Sequence, residues 1–372
     1  MLLRHTRVFG VLAAVAFAAG AYLVPSIAQA VDYSGKKVTV MVPFKEGGGS
    51  DTVARLFQPY LQKYLPGNPT VIVRNKPGGS SVKGSNDFER RAKKDGTTVM
   101  VISTSTLVAY VIGGKKVKYD VLKWRPIFST PQDTVFYVRP ETGVKGKDIV
   151  ADIKALRNFK GKDNKGLMFG AKNPTSAELR ALITFEMLGI DVRTVFGLSS
   201  GKQRKALRRG EIHINYDSAS AYNKKVRNYV KKGDAVPLMT LGYPLPDGTI
   251  IKSSEYPDMP TVLEAYQKLN GKMPSGPSFE AWKNFANMGV AASKGMVLPR
   301  GTPDDVRDAW VKAVKSIYND EKFKKRATKI LGSYPPQFGD DAAKVYKNAT
   351  DMKPKVKEWL KAWIGNKFNV TL

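Results

Sequence analysis

A short, wholly apolar run, Val38 to Pro43, passes straight into Gly47-Gly48-Gly49-Ser50-Asp51, and a helical pattern follows at once. A run with no polar alternation suits a strand buried on both faces. Val53, Leu56, Phe57, Tyr60, Leu61 and Tyr64 then recur at three- and four-residue steps, which is one face of a helix. Pro59 inside that pattern predicts a bend. A second strand, Thr70 to Arg74, ends at Asn75-Lys76-Pro77-Gly78-Gly79. A polar helix to about Lys93, the turn Asp95-Gly96 and a strand from Thr98 to Ile102 come next. Strand and helix alternate, so the first half is expected to be a parallel α/β sheet. Strand-like runs at Val135 to Val138, Leu167 to Gly170 and Ile212 to Tyr216 repeat the logic, with a helix expected from Ser176 to Leu188. Pro244 to Pro277 is rich in Pro, Gly and Ser and reads as surface connections around one helix, Thr261 to Leu269. The remainder reads as mostly helical, with Pro303-Asp304-Asp305 opening one helix.

The N-terminus bears on compartment. Arg4, His5 and Arg7 precede an apolar run from Val8 to Tyr22, Pro25 breaks it, and Ala28-Gln29-Ala30 offers small residues for cleavage. This is the layout of a secretory signal over residues 1–30, with an apolar core short for a bilayer span. The mature chain is expected to start near Val31 in the periplasm. The chain has no cysteine, which excludes a lipoprotein anchor, disulfides and thiolate chemistry. Beyond the signal only His213 remains, so a histidine-dependent triad or a multi-histidine metal site lacks its parts. No catalytic residue, metal site or cofactor is expected. The formal net charge of +29 attracts anions of every kind, from nucleic acid to small carboxylates, without choosing among them.

Three loops at strand ends are candidates for ligand binding, since ligands of open α/β sheets sit beyond the carboxyl ends of strands. Gly47, Gly48 and Gly49 allow close backbone approach, while Ser50 or Asp51 can cap the helix. Free N–H groups at a helix start bind anions. A Walker-type phosphate loop is not matched, because Ser50-Asp51 stands where Lys-Ser/Thr is needed. Ser103, Thr104, Ser105 and Thr106 are four hydroxyls directly after a strand; Asn173, Pro174, Thr175 and Ser176 hold the matching place in the second half. Each loop alone reads equally well as a turn or an N-cap cluster. Asp217-Ser218 ends the third strand of that half and is a fourth candidate, whereas His213 reads as a structural, hydrogen-bonded residue.

Several segments resemble one family, the periplasmic substrate-binding proteins of tripartite tricarboxylate transporters, or Bug family. Val42-Pro43-Phe44 with Gly47 to Asp51 is similar to its opening VPF…GGG(T/S)D, and Val73 to Gly78 to its VENRPG. Asp95 to Val99 is similar to PDGYTL, Tyr256 to Val262 with Glu264-Ala265 to PDVPTVxEA, and Gly301-Thr302-Pro303 to AGTP. One such match is weak evidence; five in order are strong.

The resemblance implies a two-domain α/β periplasmic-binding-protein fold, type II-like, closing like a Venus flytrap, each domain a mainly parallel sheet flanked by helices. Residues 31–131 and 244–372 would form domain 1 and residues 132–243 domain 2. It implies a small organic acid as ligand, a di- or tricarboxylate or a relative, delivered to the membrane subunits of a tripartite transporter by a monomer, with no nucleic acid involved. It adds Phe44, Ala171, Lys172 and Phe196 to the expected ligand-binding residues. The chain departs from the family where Lys172-Asn173-Pro174-Thr175-Ser176 replaces Gly-Asn-Gly-Thr-Ser, and Phe196 to Ser199 replaces Pro-Tyr-Lys/Arg-Gly. Losing both glycines stiffens that loop, and Lys172 is expected to offer a charge-assisted contact to a second carboxylate. The rival readings are a basic envelope or nucleic-acid-binding protein, an enzyme acting on acids, and a carboxylate sensor feeding a signalling receptor.

Overall fold

The computed structural model describes residues 31–245, 247 and 249–372; the expected signal sequence lies outside them. The chain builds two mixed sheets. Strands β1 (Lys37–Val42), β2 (Thr70–Asn75), β3 (Thr98–Ser103) and β4 (Arg125–Thr130) belong to the first. The chain then enters the second, made by β5 (Thr134–Val138), β6 (Met168–Gly170), β7 (Arg193–Val195), β8 (Ile214–Ser218) and β9 (Val236–Thr240). After a small antiparallel ribbon, β10 (Tyr243–Pro244) with β11 (Ile250–Ile251), it returns to the first sheet as β12 (Lys294–Leu298) and β13 (Gln337–Phe338). The strand orders are β13-β4-β12-β3-β1-β2 and β7-β6-β8-β5-β9. β2, β1 and β3 are mutually parallel, as are β7, β6 and β8; β12 and β5 run against their neighbours.

Both faces of the first sheet are covered, which is why its strands read as apolar runs rather than alternations. On β3, Val99 and Val101 pack with Phe57 and Leu61 of helix α1 (Gly49–Tyr64) and with Trp310. Met100 and Ile102 point the other way, into a second core that also receives Phe136 and Val138 of β5. Helix α2 (Val82–Arg91) follows β2 and helix α3 (Thr104–Ile112) follows β3. In the second half, α4 (Ile149–Asn158), α5 (Leu179–Met187) and α6 (Ser200–Arg209) follow β5, β6 and β7.

Most predicted elements occupy their expected places to within a few residues, but strands β4, β7, β9 and β12, and the two-residue β10, β11 and β13, go unpredicted. Pro126 and Pro237 interrupt the patterns of β4 and β9, and proline demotes a strand reading. β9 tolerates its proline as an edge strand, paired on one side only; β4 tolerates its own beside a register shift against β12. β7 is three residues long. β12, fully buried, lies in the stretch read as mostly helical.

Between β4 and β5 the chain passes through Gln132 and Asp133, both fully buried. The Ser253 hydroxyl donates to Asp133 Oδ2 at 2.5 Å, while Oδ1 finds no partner among the described residues. Burial lifts this carboxyl from 3.8 to about 6, against the opposing hydrogen bonds from Ser253 and Tyr334. The folded chain therefore holds a proton that the unfolded chain has lost, and this group's contribution to stability falls as pH rises between those two values. Asp133→Asn is expected to stabilise the protein by roughly 1–3 kcal/mol near pH 7.5, with little gain at pH 4. Urea unfolding at the two pH values checks this; an equal effect at both would contradict it.

Candidate functional site

A cavity of about 270 Å³ lies where the carboxyl ends of strands from both sheets meet. Three helix starts open onto it. The first turn of α1 brings Gly48, Gly49 and Ser50, that of α3 brings Ser103, Thr104 and Ser105, and that of α6 brings Ser199, Ser200 and Gly201. None of the three has a side-chain cap, so their first N–H groups keep no partner from the helix itself. Such starts favour negative charge.

A fourth wall is the turn after β2. Gly78, Gly79, Ser80 and Ser81 have φ of 146°, 54°, 55° and 106°, four successive residues in a region costly for side-chain-bearing residues. The Ser80 and Ser81 hydroxyls are buried without a hydrogen-bond partner among the described residues, and both line the cavity.

The buried charges around the cavity resolve into two closed pairs and two cations left over, while Lys45 and Glu46 line its exposed mouth. Asp217 Oδ1 accepts from Arg204 Nη1 at 2.7 Å and Oδ2 from the Tyr137 hydroxyl at 2.8 Å. Burial nevertheless raises the Asp217 carboxyl, working against Arg204. Glu178, fully buried, accepts from Lys172, from Ser176 and from Gln203 Nε2 at 3.1 Å. Its burial would raise the carboxyl, but Lys172 and these hydrogen bonds hold it below the usual value.

Arg180 and Lys294 remain. Arg180, 3% exposed, donates from Nε to Ala177 O at 3.1 Å and from Nη1 to Thr134 Oγ1 and Gly289 O at 2.8 and 3.0 Å. Its guanidinium lies 4.8 Å from the centre of the Tyr216 ring. Lys294, 5% exposed, donates to Ser293 O at 3.0 Å. Among the described residues neither has a carboxylate within ion-pairing distance, 4.0 Å. Desolvation, with help from Arg180 and Lys172, brings the Lys294 ammonium down to about 7.

Of the residues expected from sequence, Phe44, Gly48, Gly49, Ser50, Ser103, Thr104, Ser105, Lys172, Asn173, Asp217 and Ser218 line this cavity together. Seven others lie off its wall. The Gly47 carbonyl accepts from Arg204 Nη2 at 2.8 Å. Asp51 does not cap α1; it accepts from Gly47 N–H, Arg55 and Asn75 at 3.0 to 3.1 Å. Thr106 is buried behind the first turn of α3. Ala171 donates its N–H to Val195 O at 2.9 Å. Thr175 and Ser176 turn inward on their own loop, Thr175 N–H donating to Asn173 Oδ1 at 3.0 Å and Ser176 sharing its one hydroxyl proton between Glu178 and Asn173 O, the latter at 2.7 Å. Phe196 is exposed and meets the Phe368 ring edge-on at 5.2 Å. Lys172 reaches the cavity, but its ammonium is taken by Glu178, so the free charge expected there sits instead on Arg180 and Lys294.

Sequence reasoning missed those two, along with Ser80, Ser81 and Tyr216. His213 lies away from the cavity, with Nδ1 accepting from Met168 N–H at 3.0 Å. Among the described residues no cluster of three His, Cys, Asp or Glu could hold a metal ion. No helix among them is long and apolar enough to cross a membrane.

No protein-family model matches the chain. A UPF0065 protein of a Pseudomonas species is 23% identical over 331 residues, 88% of each chain. A UPF0065 protein of Bordetella pertussis is 26% identical over 294 residues, 78% of this chain and 79% of its own. Among solved structures, the periplasmic binding protein BugD superposes with a TM-score of 0.63 at 20% identity, over 88% of this chain and 97% of its own. MatC of Rhodopseudomonas palustris with bound malate gives 0.62 at 17%, over 87% and 98%. The R. palustris protein Rpa4515 with adipate gives 0.64 at 18%, over 91% and 99%. The chain is thus similar in sequence to UPF0065 proteins and shares its fold with periplasmic binding proteins, in keeping with the resemblance read from the five motifs.

Proposed function

We propose that the chain is a periplasmic solute-binding protein, without catalytic activity, that captures a small carboxylate in this cavity. The observation that carries the reading is the pair of buried cations, Arg180 and Lys294, without a counter-charge beside three uncapped helix starts. Burying unpaired charge is unfavourable, and an organic acid supplies both the missing charge and acceptors for the free N–H groups. A cavity of about 270 Å³ suits a metabolite-sized acid rather than a polymer. The bound malate of MatC and adipate of Rpa4515 fit the same class. The cavity-lining residues given above are the proposed ligand contacts. Residues 31–131 with 244–372, and residues 132–243, act as two domains that close on the ligand. Export uses the signal of residues 1–30, and the loaded protein, a monomer, hands its ligand to the membrane subunits of a tripartite tricarboxylate-type transporter.

The test is a thermal-shift screen of the chain from Val31 against mono-, di- and tricarboxylates. A ligand at a hundredfold its dissociation constant adds about 2.7 kcal/mol of stability. Saturable binding of one acid that survives moderate salt supports the reading, because a desolvated site is screened less. Binding of polyanions alone, falling steeply with salt, would overturn it in favour of a basic envelope or nucleic-acid-binding protein.

A further inference from the structure

β12 explains why a lysine stands in the floor of the cavity. The parallel strands β1 and β3 end at the cavity, but β12 runs against β3 and so begins there. Lys294, its first residue, pairs in register with Ser103, the last residue of β3, and on its other side with Thr130, the last of β4. Its side chain runs beneath the first turn of α1: a Cβ built on Gly49 would stand 3.4 Å from Lys294 Cε. Of the three protons on the ammonium, one is directed to Ser293 O, and no other partner of the nitrogen is found among the described residues. A strong donor group nine-tenths buried, on a cavity wall and mostly unsatisfied is what an incoming acceptor would complete.

We propose that Lys294 is the specificity-determining residue of the cavity, its ammonium donating to the second carboxylate of a dianionic acid, with Arg180 as the other uncompensated charge. This rests on the reading of the cavity as a carboxylate site and narrows it to dicarboxylates. The charge inventory supports two negative charges rather than one. Lys172 is closed by Glu178, Arg204 by Asp217, and at the mouth Glu46 faces Arg55 at 3.6 Å, leaving Lys45 exposed there. Arg180 and Lys172 push on Lys294, and Asp217, already engaged with Arg204, attracts it only from beyond ion-pairing distance. Tyr216 stays neutral because burial raises its hydroxyl. A monoanion would leave one of the two cations unpaired. A dianion pairs both, and by favouring the charged amine it draws a proton onto Lys294 above neutral pH.

The experiment is calorimetry of the mature chain and of Lys294→Met with matched acids of equal carbon number: butyrate and succinate, hexanoate and adipate. Methionine keeps the unbranched apolar stem and removes the charge, and thermal unfolding without ligand shows whether the variant is folded. The wild type is expected to favour the diacid of whichever pair it accepts by about 100-fold. Lys294→Met should lose most of that preference while monoacid affinity changes less than about threefold. At pH 8, diacid binding should take up a proton in the wild type, read from buffers of different ionisation heat, and take up less in the variant. Equal losses for both acids, or no loss, would overturn the role of Lys294 while leaving carboxylate binding intact. Binding of none of the four acids, nor of any in the wider screen, would overturn the carboxylate reading itself.

Discussion

Asp217→Ala is expected to lower the unfolding free energy by about 3–5 kcal/mol, the range seen when one partner of a buried ion pair is removed. Asp217 and Arg204 each expose about 5% of their side chains. Losing the carboxylate leaves the guanidinium buried without its counter-charge, and the Tyr137 hydroxyl, which accepts from Asn215 at 2.9 Å and donates to Asp217, without its acceptor. The size of this effect comes from the group left behind, not from the net worth of the pair. Replacing both partners by apolar residues, Arg204→Met with Asp217→Leu, should therefore recover much of the loss. Urea unfolding at pH 7 measures all three variants. A single-mutant loss below about 1 kcal/mol, or a double variant worse than the single, would show that the pair is not buried as described. The single variant should also weaken ligand binding, because Arg204 Nη2 holds the Gly47 carbonyl at 2.8 Å and so fixes the loop that leads into α1.

That loop was legible from sequence because every requirement on it is local. A buried strand, glycines and a helix period within one short stretch fix a strand end and a helix start, and the cavity lies where such junctions put it. The hydroxyls after β3 and the turn Lys172-Asn173 follow from the same rule. Arg180 and Lys294 do not. Arg180 sits in a helix of otherwise apolar pattern, and only tertiary packing brings it between Thr134 and Gly289, 46 and 109 residues away. Lys294 opens a short buried strand whose partners, β3 and β4, lie far back in the chain. No spacing rule predicts an antiparallel return strand in a parallel sheet, and without it the lysine reads as one more surface charge among 61 lysines and arginines. Lys172 shows the converse. Its position at a strand-end loop was visible, but its partner Glu178 stands six residues on, and that contact depends on how the intervening turn folds back.

Gly49→Val is expected to weaken ligand binding by about 100-fold, on the scale of overpacking a tight contact, while Gly48→Ala stays close to the wild type. The two glycines adjoin in sequence and differ in what they face. A Cβ on Gly48 would meet only Lys45 O at 3.7 Å, ordinary contact. A Cβ on Gly49 would come within 2.8 Å of Ser218 Oγ and 3.1 Å of Ser220 Oγ, at the carboxyl end of β8 in the other sheet. Neither glycine has a positive φ, so the difference is steric and not conformational. Here the first turn of α1 and the end of β8 touch because one residue has no side chain, and both partners of that contact line the cavity. The isopropyl group of valine would push the strand ends apart and carry the α1 N–H groups away from Ser218. Calorimetry with the best acid from the screen measures both variants, and Gly49→Ala with Ser218→Gly tests the cause. The affinity lost on Gly49→Ala should be smaller in the Ser218→Gly background than in the wild type, because the clash is relieved there, whereas equal affinity for Gly49→Val and the wild type would mean that the strand ends do not close on each other when the ligand binds.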